Sequence, residues 1–188
     1  MATYIWYGTT NEDTLNGGVD SDRIFGGNGS DLIDGWGGND ELYGGAGNDT
    51  LSGGIDNDIL DGGVGNDAIG GGDSDDTLYG GDGCDTLDGD EGKDNMIGGT
   101  GNDLYYVDNV GDTVNEDYNG GTDTVLATVT FTNGAYVEEI WLNWNAGDIN
   151  ATGGAVDNAI YGTSGNNVLL GGDGNDNLYG LGGDDTLD

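Results

Sequence analysis

A nine-residue frame runs without a gap from Gly8 to Tyr106, giving eleven units in 99 residues, and resumes at Gly153 for four more. Residues 26 to 61 show it in register: GGNGSDLID, GWGGNDELY, GGAGNDTLS and GGIDNDILD. Each unit splits into a six-residue turn, G-G-x-G-x-D, and a three-residue strand, x-U-x, in which U is apolar. Glycine at the first, second and fourth positions permits a tight turn that a Cβ would obstruct. The eighth position is apolar in all eleven units of the first run: Leu15, Ile24, Ile33, Leu42, Leu51, Leu60, Ile69, Leu78, Leu87, Met96 and Tyr105. In so short a strand only that middle side chain is expected to face inward. One apolar residue per strand makes no core alone, so the units must stack until those side chains form a column. The expected fold is an all-β solenoid.

Two units make one coil: strand, loop, strand on the opposite wall, loop back. Loops two units apart then lie above one another at the parallel-strand spacing of roughly 4.8 Å. The sixth position builds two columns of aspartates, Asp13, Asp31, Asp49, Asp67, Asp85 and Asp103 on one edge and Asp22, Asp40, Asp58, Asp76 and Asp94 on the other. Carboxylates about 5 Å apart repel by ~3 kcal/mol at an effective dielectric near 20. Arg23 and Lys93 are the only basic residues, too few to relieve such a ladder. A divalent cation between successive loops would relieve it. Hard oxygens, carboxylate and turn carbonyl, select calcium over magnesium, whose octahedral demand is stricter.

These units resemble the RTX (repeats-in-toxin), hemolysin-type calcium-binding repeats of secreted bacterial proteins. The resemblance implies a right-handed parallel β-roll, a two-sheet β-solenoid with calcium ions between stacked loops. It implies as ligands the second- and fourth-position carbonyls of the earlier loop, the first- and third-position carbonyls of the later loop, and both sixth-position aspartates. Along the first edge, the ion between Asp13 and Asp31 would take Thr9 and Asn11 with Gly26 and Asn28, and the next would take Gly27 and Gly29 with Gly44 and Ala46. The three that follow would use Gly45 and Gly47 with Gly62 and Val64, Gly63 and Gly65 with Gly80 and Asp82, and Gly81 and Gly83 with Gly98 and Thr100. On the second edge the sets are Gly18 and Asp20 with Gly35 and Gly37, Trp36 and Gly38 with Gly53 and Ile55, Gly54 and Asp56 with Gly71 and Asp73, and Gly72 and Ser74 with Gly89 and Glu91. Each interior aspartate would bridge two ions. Six loops on one edge and five on the other leave at most nine gaps in the first run, with a few more in the second.

The chain of 188 residues carries 37 acidic and two basic residues, a formal charge of −35, with 43 glycines and no proline or histidine. Glycine without proline excludes collagen, and the strict frame argues against generic low complexity. Such a field excludes nucleic acid and anionic membranes as partners, and without counterions the chain should be expanded. Folding and calcium binding are therefore expected to be one event. No apolar run approaches membrane-spanning length, so membrane insertion is not expected. The lone Cys84 sits at a variable loop position and reads as a surface thiol. Near-absence of cysteine fits export unaided by disulfides. Residues 1–7, MATYIWY, lack the basic start and long apolar core of a cleavable leader. The resemblance implies export through a type I secretion system that reads an uncleaved C-terminal signal, hence a secreted or cell-surface location. The array runs up to Asp188 without such a signal, so the chain is expected to be part of a larger protein.

In chain order, residues 1–7 read as an N-terminal cap strand, residues 8–106 as the first run, residues 107–152 as a β-rich segment outside the frame, and residues 153–188 as the second run. Trp36 stands where the frame wants its second glycine and is expected to lie across the roll surface or to mark a contact. The fourth position holds Asp20, Asp56 and Ser74 on the second edge against only Asn11 on the first, so the first edge is expected to fill at lower calcium. Residues 107–152 number one more than a multiple of nine, so the roll is expected to break or widen there. The resemblance implies longer strands that extend the stack. Asp108, Asp112, Glu116 and Asp123 read as solvated acidic turns, with a further ion as the alternative. In the second run Asn158 and Asn167 replace aspartate, and Asp176 and Asp185 restore it. The ions implied there would use Gly154 and Val156 with Gly171 and Asp173, and Thr163 and Gly165 with Gly180 and Gly182, bound more weakly at the asparagines.

No histidine means no zinc-protease helix and no Ser-His or Cys-His pair, and no nucleophile elbow or phosphate loop is present. The periodic aspartates already have a ligand role, so no enzymatic activity is expected. The leading expectation is a calcium-triggered folding module. The alternatives are a polysaccharide-binding accessory module, drawing on Trp36, Trp141 and Trp144, and a self-associating adhesin or surface-layer element.

Overall fold

The computed structural model describes residues 4–118, 120–134 and 136–188. The strands are β1 (Tyr4–Tyr7), β2 (Thr14–Gly18), β3 (Asp22–Asn28), β4 (Leu32–Gly37), β5 (Glu41–Ala46), β6 (Thr50–Ile55), β7 (Ile59–Val64), β8 (Ala68–Asp73), β9 (Thr77–Asp82), β10 (Thr86–Glu91) and β11 (Asn95–Thr100). They continue as β12 (Leu104–Val107), β13 (Thr113–Asn115), β14 (Thr124–Ala127), β15 (Phe131–Thr132), β16 (Glu139–Leu142), β17 (Ala151–Thr152), β18 (Ala159–Tyr161), β19 (Val168–Leu170), β20 (Asn177–Tyr179) and β21 (Thr186–Leu187). The described residues contain no helix. Odd strands β1 to β13 form one wall, even strands β2 to β20 form a ten-stranded opposite wall, and β15, β17, β19 and β21 form a third sheet. Every pairing is parallel, and in the first run each residue pairs with the one 18 later, as Ile24 with Leu42 and Leu42 with Leu60. The protein is a parallel β-solenoid of two units per coil.

The core is the expected column. Ten of the eleven eighth-position side chains, Ile24 to Tyr105, are buried, and Leu15 packs half-buried at the start. The strands differ from expectation: β4 to β11 span six residues each, not three, and run on through the third position of the next unit. Gly27 pairs with Gly45 and Asn28 with Ala46, because stacked glycines let the ladder continue through the turn. The inward alternation therefore also lengthens: the sixth-position aspartate, the eighth-position apolar residue and the first-position glycine all point into the coil.

Around residues 107–152 successive coils take 20, 15 and 20 residues, as shown by Leu104 opposite Thr124, Thr124 opposite Glu139 and Glu139 opposite Ala159. These three coils absorb the one-residue phase difference without interrupting the ten-stranded wall. The opposite wall does break, between β13 and β15. The strands here span two to four residues, shorter rather than longer than those of the first run. In the cap strand β1 pairs with β3, yet all four of its side chains are exposed, since no described residue covers its outer side. Residues 1–3 of the expected cap lie outside the described residues. Outward-facing aromatics stack along the axis, Tyr7 on Phe25 on Tyr43 at one end and Trp141 on Tyr161 on Tyr179 at the other.

Candidate metal sites

The sixth-position aspartates are the most deeply buried polar groups of the first run: Asp22 to Asp103 on both edges are at most 3% exposed. Each carboxylate divides its two oxygens. Oδ1 accepts the backbone N–H of the aspartate one coil earlier, as Asp31 donating to Asp49 and Asp40 donating to Asp58, both at 2.7 Å. Oδ2 of Asp31, Asp40, Asp49, Asp58, Asp67, Asp76, Asp85, Asp94 and Asp103 is buried with no hydrogen-bond partner among the described residues. An unpaired buried carboxylate oxygen is among the costliest groups a fold can carry.

What surrounds that oxygen explains it. A Cβ placed on Gly44 would fall within 3 Å of both Asp49 Oδ2 and the carbonyl of Gly62 in the next coil, and the same pair of acceptors meets over Gly26, Gly35, Gly53, Gly62, Gly71 and Gly80. First-position glycine thus leaves a cradle lined by oxygens, with no donor group of the described residues between them. Second-position carbonyls point the other way, from Gly27 toward Gly45 and from Trp36 toward Gly54, and fourth-position carbonyls follow, from Gly29 toward Gly47 and from Ser74 toward Gly92. Third-position carbonyls also face the gap, where they accept the fourth-position N–H of the earlier coil, as Ala46 does from Gly29 and Glu91 does from Ser74. Four carbonyl classes and two carboxylates converge on each gap, the donor set that suits a hard divalent cation.

This geometry meets a matching sequence profile. The RTX calcium-binding nonapeptide repeat profile matches residues 7–42, 37–69, 70–105 and 152–187, more than half of the chain. The chain belongs to the RTX calcium-binding repeat family. No curated protein matches it in sequence. As an RTX chain it is a calcium-binding β-roll module, and its residues fit the ion.

Electrostatics describe the ladder without its ion. Burial first, then neighbouring carboxylates, pushes Asp58 up to about 8, Asp94 to about 7, and Asp40, Asp67, Asp76, Asp85 and Asp103 to about 6, against the opposing pull of the backbone N–H each accepts. Burial and like charge together make these carboxyls resist ionisation.

The ladder runs beyond the RTX frame. Asp94 donates its N–H to Asp112, Asp103 to Asp123, and Asp123 to Glu138 Oε2, so Asp112 extends the second column and Asp123 and Glu138 the first. Asp123 is buried with Oδ2 unpaired, and Glu116 is also buried, which corrects the reading of both as solvated turns. Asp108 is exposed and half-buried Asp112 caps its own turn through the N–H of Asp108 and Asn109, so that reading holds for these two. Spacing alone could have found Asp112, 18 residues after Asp94. The 20- and 15-residue steps to Asp123 and Glu138 gave no such signal.

The second run differs at its entry. Asn158 Oδ1 accepts the N–H of Gly154 while its Nδ2 donates to the carbonyl of Val137, and Asn167 does the same with Thr163 and Ile149. An amide N–H stands where a carboxylate oxygen stands elsewhere, and no acceptor is left unpaired. Asp176 and Asp185, in the last coils, are half-buried and accept the N–H of Asn158 and Asn167. Cys84 is exposed and free.

Proposed function

We propose that this RTX module couples calcium binding to folding, within a larger bacterial protein exported unfolded through a type I system and ordered outside the cell. The supporting observation is the pair of columns of buried, unpartnered Oδ2 atoms facing carbonyls. Bound calcium supplies the positive charge these columns lack and bridges successive loops. Asp31, Asp49, Asp67 and Asp85, with Asp40, Asp58 and Asp76, hold their Oδ2 toward the gaps, and their Oδ1 atoms set the coil spacing. Nine divalent ions in the first run would offset about half of the acidic excess. The asparagine junctions at Asn158 and Asn167 close by hydrogen bond and bind more weakly.

Calorimetric titration with parallel circular dichroism tests this. Binding of about nine ions or more should accompany the gain of β-structure. Full β-structure at neutral pH in chelator would sink the coupling.

A second reading, a polysaccharide-binding accessory module, draws on a cleft of about 410 Å³ lined by Tyr106, Trp141, Trp144, Tyr161 and Leu181 among others. Trp141 and Tyr161 stack face to face with their centroids 4.0 Å apart, so their faces are used within the protein, and Trp144 is the exposed ring left to meet a sugar. Trp36 lies six strands away in the same sheet and takes no part. Glycan binding in calcium that is lost in Trp144→Ala would favour this reading, and light scattering in the same titration would reveal self-association.

A further inference from the structure

The last coil of the first run meets the segment beyond it at a group of oxygens unlike any other gap. Asn95, Met96 and Ile97 pair with Thr113, Val114 and Asn115, so Glu116 stands opposite Gly98, in the register of a first-position residue. In the preceding gap of this edge, the oxygen that enters the cradle over Gly80 is the backbone carbonyl of Gly98. Over Gly98 it is the side chain of Glu116: a Cβ there would fall within 3 Å of Glu116 Oε1, Asp103 Oδ2 and the Tyr105 hydroxyl. Asp103, Glu116 and Asp123 each bring a carboxylate oxygen within 4.8 Å of the others. Asp103 and Asp123 are 2% and 1% exposed, and Oδ2 of each has no partner among the described residues. The buried Tyr105 is the one eighth-position aromatic of the array, and its hydroxyl donates to Glu116 Oε1 and fixes that side chain.

We propose that Asp103, Glu116 and Asp123 form a three-carboxylate calcium site at the junction, distinct from the two-carboxylate gaps of the repeats, and the tightest site of the chain. The proposal rests on the calcium-binding reading above. A third carboxylate raises affinity for a hard divalent cation, and a rotamer already fixed by Tyr105 loses less freedom on binding. Two of the three carboxylates come from outside the nonads, so this site ties the segment at 107–152 to the first run before the repeat gaps fill.

The test is a calcium titration of the full chain and its Glu116→Gln variant, which keeps an oxygen for the Tyr105 hydroxyl and removes only the charge. Glu116→Gln should weaken the first, single-ion phase by about tenfold or more and leave the later phases in place. An unchanged first phase, or a variant that folds at lower calcium than the parent, overturns the proposal. Should the variant not fold, crystals of the unmodified chain grown in calcium decide. An ion about 2.3–2.6 Å from Glu116 supports it, whereas filled repeat gaps with none at Glu116 overturn it. A parent chain that binds no calcium at all would instead bring down the underlying reading.

Discussion

Within the repeats, all five non-glycine residues that adopt positive φ lie on one edge of the roll: Trp36, Asp56, Ser74, Asp90 and Leu181. On the other edge the second and fourth positions are glycine from Gly27 to Gly101, as in Gly45 and Gly47, Gly63 and Gly65, and Gly81 and Gly83, and the residues that depart from glycine, Thr9, Asn11 and Val156, do not take positive φ. The backbone registers the difference. Gly47, Gly65 and Gly83 sit at φ 136, 142 and 148, whereas Asp56 and Ser74 have retreated to 75 and 90, into the left-handed well that an L-residue tolerates. The aspartate ladders on the two edges are equivalent in hydrogen bonding, yet they ride on loops of different intrinsic cost, of order 1–2 kcal/mol for each left-handed L-residue. Exposed acids add to the load on the strained edge, where Asp56 bears on Asp58 and Asp108 on Asp94. An array can thus be uniform in its ligands and graded in its readiness to bind.

The largest test of this grading exchanges one carboxylate on each edge for a methyl group. Asp49→Ala leaves the buried N–H of Asp31 unpaired and Asp58→Ala does so to that of Asp40, each a loss of about 1–3 kcal/mol. Each also removes a carboxylate from two gaps. Asp58, however, is the carboxylate that the ion-free fold tolerates least, pushed up to about 8 by burial and its neighbours, so its removal relieves part of the penalty. Asp49→Ala should raise the calcium midpoint of folding by about tenfold or more, and Asp58→Ala by only a few fold. The reverse order, read by circular dichroism, would abolish the distinction between the edges.

Protons offer a second handle, because they can replace the ion. The raised carboxyls hold protons in the ion-free roll that they would release when unfolded, where aspartate titrates near 4. Stability of the ion-free roll therefore rises as pH falls from about 8 toward 4, the folded state being the one that binds more protons. Asp58 and Asp94, at about 8 and about 7, should respond first, and Asp67, Asp85 and Asp103, at about 6, later. Circular dichroism in chelator between pH 8 and 5 should show β-structure growing in that order, followed by removing Asp58 or Asp67 in turn. A chelated chain equally unstructured across the range would show that charge is not what keeps it open.

How much of this could be read before the fold was known follows from one property, register. Where the frame is unbroken, an 18-residue offset places Asp31 over Asp13 and Leu42 over Ile24 with no further information. The same logic hid the inward face of the turn. Glycine disfavours strands, so the ladder seemed to end at the ninth position, although Gly27 and Gly45 pair in β3 and β5. Past Tyr106 the offset itself varies, and the partners of Asp103 and Asp123 became visible only in three dimensions. Glu116 shows the limit most clearly: its neighbours in sequence are an exposed asparagine and an exposed aspartate, and only pairing against β11 turns it inward.

The smallest effect is also the most discriminating, since it separates the two causes of the difference between edges. Gly65→Asp transplants the residue of the strained edge to the relaxed one. The backbone there would have to leave φ 142, and a Cβ in place would fall within 3 Å of the Gly47 carbonyl. The expected loss is about 1–3 kcal/mol. Asp56→Gly runs the exchange backward and should gain about 1 kcal/mol or less, the left-handed cost removed being partly offset by the entropy of an added glycine. Asp56→Asn keeps a side chain that the left-handed region accepts and deletes only the charge acting on Asp58. At 1 M salt, where the Debye length is about 3 Å, the benefit of Asp56→Asn should vanish while that of Asp56→Gly persists. Equal loss of both benefits would assign the difference to charge alone, and equal persistence would assign it to backbone strain.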